Sequence, residues 1–184
     1  MRELSNVNIG LIYGTDTNNT EEIGERISTV LQSHGCTVEI INVTEASADT
    51  LNDFGFLIMG IPTWDFGGIQ EDWEDFEEVL LASDLTNKTV ALYGLGDQFG
   101  YGDYFVDAMG WLHKHVVNIG GNVIGSWSTD GYEFEESLAA NEDKTMFVGL
   151  AIDEDQQFEL TDTRIAGWVE QILSEYSETV NLVA

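Results

Sequence analysis

Positive charge is what this chain has least of: 6 Lys and Arg stand against 34 Asp and Glu, a formal net charge of -28 over 184 residues. Nucleic acid is excluded as a partner, because neutralising its phosphates takes clustered Lys and Arg. Anionic membrane surfaces are disfavoured on the same ground. A field of this sign favours encounter with basic partner proteins and raises solubility, at the cost of a self-repulsion that salt relieves, as in a saline cytosol. Cysteine is nearly absent too. The one thiol, Cys36, rules out an internal disulfide and points to a reducing, cytoplasmic compartment. Between Gly35 and Thr37 it lacks the electropositive neighbours of a reactive thiol and reads as structural. No apolar run approaches the roughly 20 residues of a membrane span. No basic region followed by a hydrophobic one opens the chain, so secretion and membrane insertion are not expected. His34, His113 and His115 are not spaced as a helical metal pair. Repeats, linkers and low-complexity tracts are missing as well, so residues 1–184 read as one domain.

What is present is a core: 43% of the residues are hydrophobic and 11% aromatic, enough for a globular domain. Apolar strand candidates at 7–13, 37–43, 54–61, 88–95 and 122–127 alternate with helical patterns, the arrangement of a doubly wound α/β domain around a parallel sheet. Ile23, Ile27, Val30 and Leu31 share one helix face, and Ile165, Trp168, Val169, Ile172 and Leu173 share another. A third helix near 70–81 groups Trp73, Phe76 and Leu80, which leaves the acidic run from Glu71 to Glu78 on its solvent face; a fourth uses Phe105, Met109, Leu112 and Val116. Residues 128–146 are polar and acidic, and an apolar run at 146–152 follows them. That segment is expected to interrupt the fifth strand as an insertion. Residues from about 178 to 184 are expected to form a tail.

In open α/β sheets ligands lie beyond the carboxyl ends of the strands. Three loops meet that condition. The first, Thr15-Asp16-Thr17-Asn18-Asn19-Thr20, joins a strand to a helix and offers hydroxyls and unpaired backbone N–H groups without any Lys or Arg. It lacks the lysine and glycine frame of a nucleoside triphosphate site and suits a single phosphoryl group. The second reads Pro62-Thr63-Trp64-Asp65-Phe66-Gly67-Gly68 and the third Gly96-Asp97-Gln98-Phe99-Gly100-Tyr101-Gly102-Asp103-Tyr104. Trp64 and Tyr101, at the same sheet edge as an uncharged phosphate loop, would wall a flat heteroaromatic ring. FMN has the matching parts: one phosphate, a polar ribityl chain and a planar ring.

The motifs Thr15 to Glu21, Pro62-Thr63-Trp64, Gly96-Asp97-Gln98 with Tyr101, and Phe147 to Asp155, in that order and over nearly the whole chain, resemble flavodoxin. The insertion before Phe147 makes the chain similar to the long-chain subclass. The resemblance implies a flavodoxin-like five-stranded parallel sheet of order 2-1-3-4-5 with helices on both faces. It implies that Thr15, Thr17 and Thr20, with the amides of Asp16, Asn18 and Asn19, hold the FMN phosphate. Trp64 and Tyr101 would sandwich the isoalloxazine, with Pro62, Thr63, Asp65, Phe66 and Gly67 completing the loop beside it. Leu95, Gly96 and Asp97 would meet the pyrimidine end, Tyr104 the ring edge, and Asp155 the ribityl chain. Asn18 stands where the family commonly has Gly, and Asn is the next best residue for a left-handed backbone. Leu95 replaces a frequent Thr.

By the same resemblance the chain is a non-catalytic, low-potential one-electron carrier. A phosphate dianion, an acidic protein and no nearby cation penalise the negative charge of fully reduced FMN, and each 1.4 kcal/mol of that penalty lowers a one-electron potential by about 59 mV. The carbonyl of the peptide joining Asp65 and Phe66 would turn to accept a hydrogen bond from the protonated flavin N5; neither residue is glycine, so turning that peptide carries strain. The partners implied are basic-faced redox proteins such as ferredoxin/flavodoxin-NADP reductase, photosystem I or nitrogenase, met by a monomer. The alternative is an FMN-dependent NAD(P)H:quinone reductase of the same superfamily. A signalling receiver of this topology would need acids where Pro62-Thr63 and Gly14-Thr15 stand.

Overall fold

The structure, a computed structural model, describes residues 7–183. Its strands are β1 (Asn8–Tyr13), β2 (Thr37–Asn42), β3 (Phe56–Trp64), β4 (Gly68–Ile69), β5 (Thr89–Leu95), β6 (Asn122–Ile124), β7 (Trp127–Ser128), β8 (Met146–Phe147) and β9 (Leu150–Ile152). Its helices are α1 (Asn19–Ser33), α2 (Ala48–Asn52), α3 (Glu71–Leu81), α4 (Asp107–Asn118) and α5 (Thr161–Val183). The main sheet runs β2-β1-β3-β5, every pair parallel, and its fifth position is shared. β6 pairs with Thr89 to Ala91 and β9 with Tyr93 to Leu95 of the same strand. The order is therefore the expected 2-1-3-4-5 with the fifth strand interrupted, and β7 and β8 form a small antiparallel ribbon inside the interruption.

A parallel sheet covered on both faces needs strands that are apolar throughout, and β5 is buried at every position. Successive side chains of β3 divide between two cores. Leu57, Met59 and Ile61 face Trp73 and Leu80 of α3 and Met109 and Leu112 of α4. Phe56 and Ile58 face Ile23 and Ile27 of α1 and Trp168 and Ile172 of α5. The period of two along the strand is what sorts them.

The boundaries differ from the sequence reading in four informative places. β3 runs on to Trp64, so the strand itself delivers the tryptophan to the sheet edge. Phe105 is buried but precedes α4 in extended backbone, where it packs on Tyr132, Phe134 and Phe147. The short α2, unforeseen because it spans barely one turn, is set by a reciprocal cap between Ser47 and Thr50. Residues 178–183, expected as a tail, continue α5. The insertion is fastened by aromatics as well: the Arg164 guanidinium lies 3.9 Å from the Tyr132 ring centroid, and the Tyr132 hydroxyl donates to the Ala151 carbonyl at 2.6 Å.

Candidate functional site

The loops after β1, β3, β5 and β9 converge on a cavity of about 290 Å³ at the carboxyl edge of the sheet. Of the residues singled out in the sequence, Thr15, Asp16, Thr17, Asn19, Thr20, Pro62, Thr63, Trp64, Asp65, Leu95, Gly96, Asp97, Tyr101, Tyr104 and Asp155 line it together. Asn18, Phe66 and Gly67 do not. Asn18 instead makes the bend that starts α1, at φ 68°. Gly67 turns the loop at φ 85°, where an added Cβ would come within 3.0 Å of Asp107 Oδ2. Phe66 lies outside at 77% exposure, edge-on to the rings of Tyr101 and Tyr104.

One end of the cavity consists of donors without partners. Asn18 makes no side-chain cap, and the first intrahelical bond of α1 runs from Glu22 N–H to the Asn18 carbonyl at 2.9 Å. The earlier amides of the first turn are left for an outside acceptor, with the positive end of the helix behind them. Thr15 Oγ1 and Trp64 Nε1 are both buried and without a hydrogen-bond partner among the described residues. A buried donor left unmet costs about 1–3 kcal/mol. Two of them bordering one cavity make a donor set that an anion would complete.

The loop is braced from behind. Gln70, 1% exposed, receives Trp73 N–H on Oε1 at 3.3 Å and donates from Nε2 to Asp16 at 3.1 Å and Asp72 at 2.9 Å. A Cβ on Gly14 would fall 2.3 Å from Gln70 Oε1, so the phosphate loop begins on a glycine for want of room. Beneath the first turn of α1 the buried Tyr93 hydroxyl donates to the Thr20 carbonyl at 2.9 Å.

The other end is built from carboxylates. Asp97 Oδ1 accepts from the Phe99 amide at 3.0 Å, the Gly100 amide at 2.8 Å and Gln156 Nε2 at 3.0 Å. Burial pushes the Asp97 carboxyl up, but the bonds from Gly100, Gln156 and Phe99 outweigh it and hold the group below its ordinary range. Asp155 goes the other way: burial, then the charges of Asp97, Asp153 and Glu154, raise it. The Tyr101 hydroxyl donates to Asp65 Oδ1 at 3.2 Å, and that bond, together with the charge of Asp65, raises the phenol. Asp65 itself stands at φ 40°, in the left-handed region where an L-residue is crowded.

Among the described residues no Lys, Arg or His lines the cavity. Arg26 reaches the lining residue Glu154 at 3.4 Å and is paired with Asp162 as well. The sequence reading did not single out Glu154, which lines the cavity, or the buried Gln70 behind it. The position of Gln70 just before α3 was the available signal for its capping role; nothing local announced Glu154.

The flavodoxin family model matches residues 11–168. The chain belongs to the flavodoxin family. It is 45% identical to flavodoxin 2 of Escherichia coli (strain K12) over 172 residues, 94% of this chain and 98% of that protein. It is 46% identical to a flavodoxin of Nostoc sp. over 168 residues, 91% and 96% of the two chains. Among solved structures, a Fusobacterium nucleatum flavodoxin bound to flavin mononucleotide superposes with a TM-score of 0.84 at 36% identity, covering 91% of this chain and 98% of that one. Membership carries the parallel α/β fold and a role in electron transfer with redox partners. Among the described residues no helix is long and apolar enough to cross a membrane, and no cluster of His, Cys, Asp or Glu is arranged to hold a metal.

Proposed function

We propose that the chain is a low-potential electron carrier that holds FMN non-covalently in this cavity and turns over no substrate of its own. The observation that carries the reading is a pair of buried donors, Thr15 Oγ1 and Trp64 Nε1, that among the described residues have no partner, beside the uncapped start of α1 and with no cation among those residues lining the site. Thr15, Thr17, Thr20 and the amides of Asp16 to Asn19 would hold the phosphate. Trp64 and Tyr101 would wall the ring; Leu95, Gly96 and Asp97 would meet its pyrimidine end, and Asp155 the ribityl chain. FMN bound there supplies a centre that takes up and releases single electrons.

The chain's own part is electrostatic. Asp65, Asp97, Glu154 and Asp155 all line the cavity, so extra negative charge placed in it meets like charge at short range. That disfavours the most reduced, anionic state of a bound redox group and lowers its potential. The net charge of -28 selects basic-faced redox proteins as partners, in a reducing cytoplasmic setting. The test is reconstitution. Flavin-free protein mixed with FMN in high salt should become a yellow complex with quenched flavin fluorescence, reducible only at low potential and unable to oxidise NADPH unaided. Protein that stays colourless overturns the reading; direct NADPH oxidation replaces the carrier with a reductase.

A further inference from the structure

Behind the ring end of the cavity, and not lining it, lies a carboxylate with no exposure at all. Asp153 follows β9 and is 0% exposed. Its Oδ2 accepts from the backbone N–H of Gln98 at 3.0 Å and from Gln98 Nε2 at 2.8 Å. Its Oδ1 accepts from the amides of Asp155 at 3.1 Å and Gln156 at 2.9 Å. All of these donors are neutral, and among the described residues no Lys or Arg bonds to the carboxylate. Gln98, 3% exposed, extends the network: Nε2 also donates to Gln157 Oε1 at 2.9 Å, and Oε1 receives the amide of Glu133 in the insertion.

Burying an ionised carboxylate is costly unless its lone pairs are filled. A pairing of Asp153 with Gln98 is therefore a choice of geometry more than a source of stability. Its consequence is to lock two loops to each other at the point where both turn into the cavity. On one side the bond to Gln98 fixes the peptide after Asp97, from which the Phe99 and Gly100 amides turn back onto the Asp97 carboxylate. On the other it fixes Asp155 and Gln156, and Gln156 closes the circuit by donating to Asp97 at 3.0 Å. The Tyr101 amide then bonds the Asp97 carbonyl at 3.1 Å, so the ring-wall tyrosine hangs from the same turn.

We propose that Asp153 and Gln98 are positioning residues for flavin recognition: they touch no ligand, but they hold Asp97, Asp155 and Tyr101 in the arrangement that grips the ring. The proposal rests on the FMN reading above. It assigns the insertion a part as well, because Glu133 supplies the bond that completes the Gln98 amide.

The experiment compares Asp153→Asn and Gln98→Ala with the unaltered protein, using FMN and riboflavin as separate probes and hydrogen exchange of the Phe99 and Gly100 amides in flavin-free protein. Asn puts an amide NH₂ among N–H donors, whereas Ala at 98 leaves Asp153 its backbone donors, so the second variant keeps the test alive if the first does not fold. Both variants should bind FMN and riboflavin more weakly, each by about tenfold, because the fault lies at the ring and not the phosphate. Exchange at Phe99 and Gly100 should quicken while amides of α1 stay protected. Variants with a lower Tm but unchanged exchange at those amides and unchanged affinities would make the pair merely structural and overturn the proposal. Unaltered protein that binds neither flavin would instead sink the functional reading.

Discussion

The two ends of the cavity are built on opposite plans. At the α1 end, donors are left over: among the described residues Thr15 Oγ1 and the first-turn amides find no partner, and neither does Trp64 Nε1 beside the same cavity. At the ring end, acceptors are left over, and the fold spends its donors on them; Asp97 and Asp153 between them take the amides of Gln98, Phe99, Gly100, Asp155 and Gln156. The first end is incomplete until an anion arrives. The second is complete before anything arrives, and its carboxylates resist added negative charge. One cavity can thus hold a phosphate firmly while disfavouring electrons at the ring. A carrier must do both, since it has to keep its cofactor and give its electron away.

The sharpest way to break this contrast is to remove a surplus donor. Thr15→Val deletes a buried hydroxyl that has no partner among the described residues and keeps the side-chain shape. Titration calorimetry should show FMN binding weakened by about tenfold, roughly 1.4 kcal/mol, because a charge-assisted bond to the phosphate is lost. Riboflavin binding should be unchanged. Thermal unfolding of the flavin-free variant should improve, since an unmet buried hydroxyl is gone. Equal losses for both flavins would mean that the phosphate does not sit at this end.

A smaller effect is expected from a buried acceptor outside the cavity. Asp107, in the first turn of α4, is 6% exposed and accepts the Leu138 amide at 2.8 Å. Burial raises its carboxyl above the ordinary 3.8, and the bond from Leu138 only partly opposes that. A raised folded pKa means that the native state holds the proton longer than the unfolded chain. The group therefore costs nothing below 3.8, and stability is lost as pH rises from 3.8 through the folded pKa. Asp107→Asn keeps an acceptor for Leu138 and removes the charge. It should raise stability by about 1 kcal/mol at pH 7 and leave it unchanged near pH 3.5, as read from denaturant melts at the two pH values. A gain of equal size at both would show that charge is not the cause.

These differences also mark what a sequence can disclose. The sheet was legible because strands buried on both faces are apolar end to end, and the three loops followed from where such strands stop. Asn18 was legible because few residues other than glycine tolerate its left-handed bend. The braces were not. Gln70 meets Asp16 across 54 positions, and Gln98 meets Asp153 across 55. A buried polar side chain has no periodic signature, and its partner is fixed only once the sheet has brought two loops together. β3 outran its expected end for a related reason: Thr63 and Trp64 are held in strand geometry by pairing with Ile69 and Gly68, a contact that begins after the apolar run is over.

The smallest effect should come from the turn that joins the two plans, where Asp65 sits beside the surplus donor of Trp64 and bonds the ring-wall Tyr101. At φ 40° an L-residue is crowded and glycine is not, so Asp65→Gly relieves strain in the folded state. The gain is offset by the greater freedom of glycine in the unfolded chain, leaving about 0.5 kcal/mol in favour of the variant. The lost bond to Tyr101 is exposed and takes little from this. A second consequence separates strain from charge. Asp65 raises the Tyr101 hydroxyl through its hydrogen bond and its negative charge, so removing it should bring that phenol back toward 10.0. Ultraviolet titration of Asp65→Gly, with Tyr101→Phe as the blank, reads the phenol, and a thermal melt reads the strain. A phenol that does not move would mean that Asp65 is turned away from Tyr101 in solution; a lower Tm would mean that the bend is set by the carboxylate rather than endured by it.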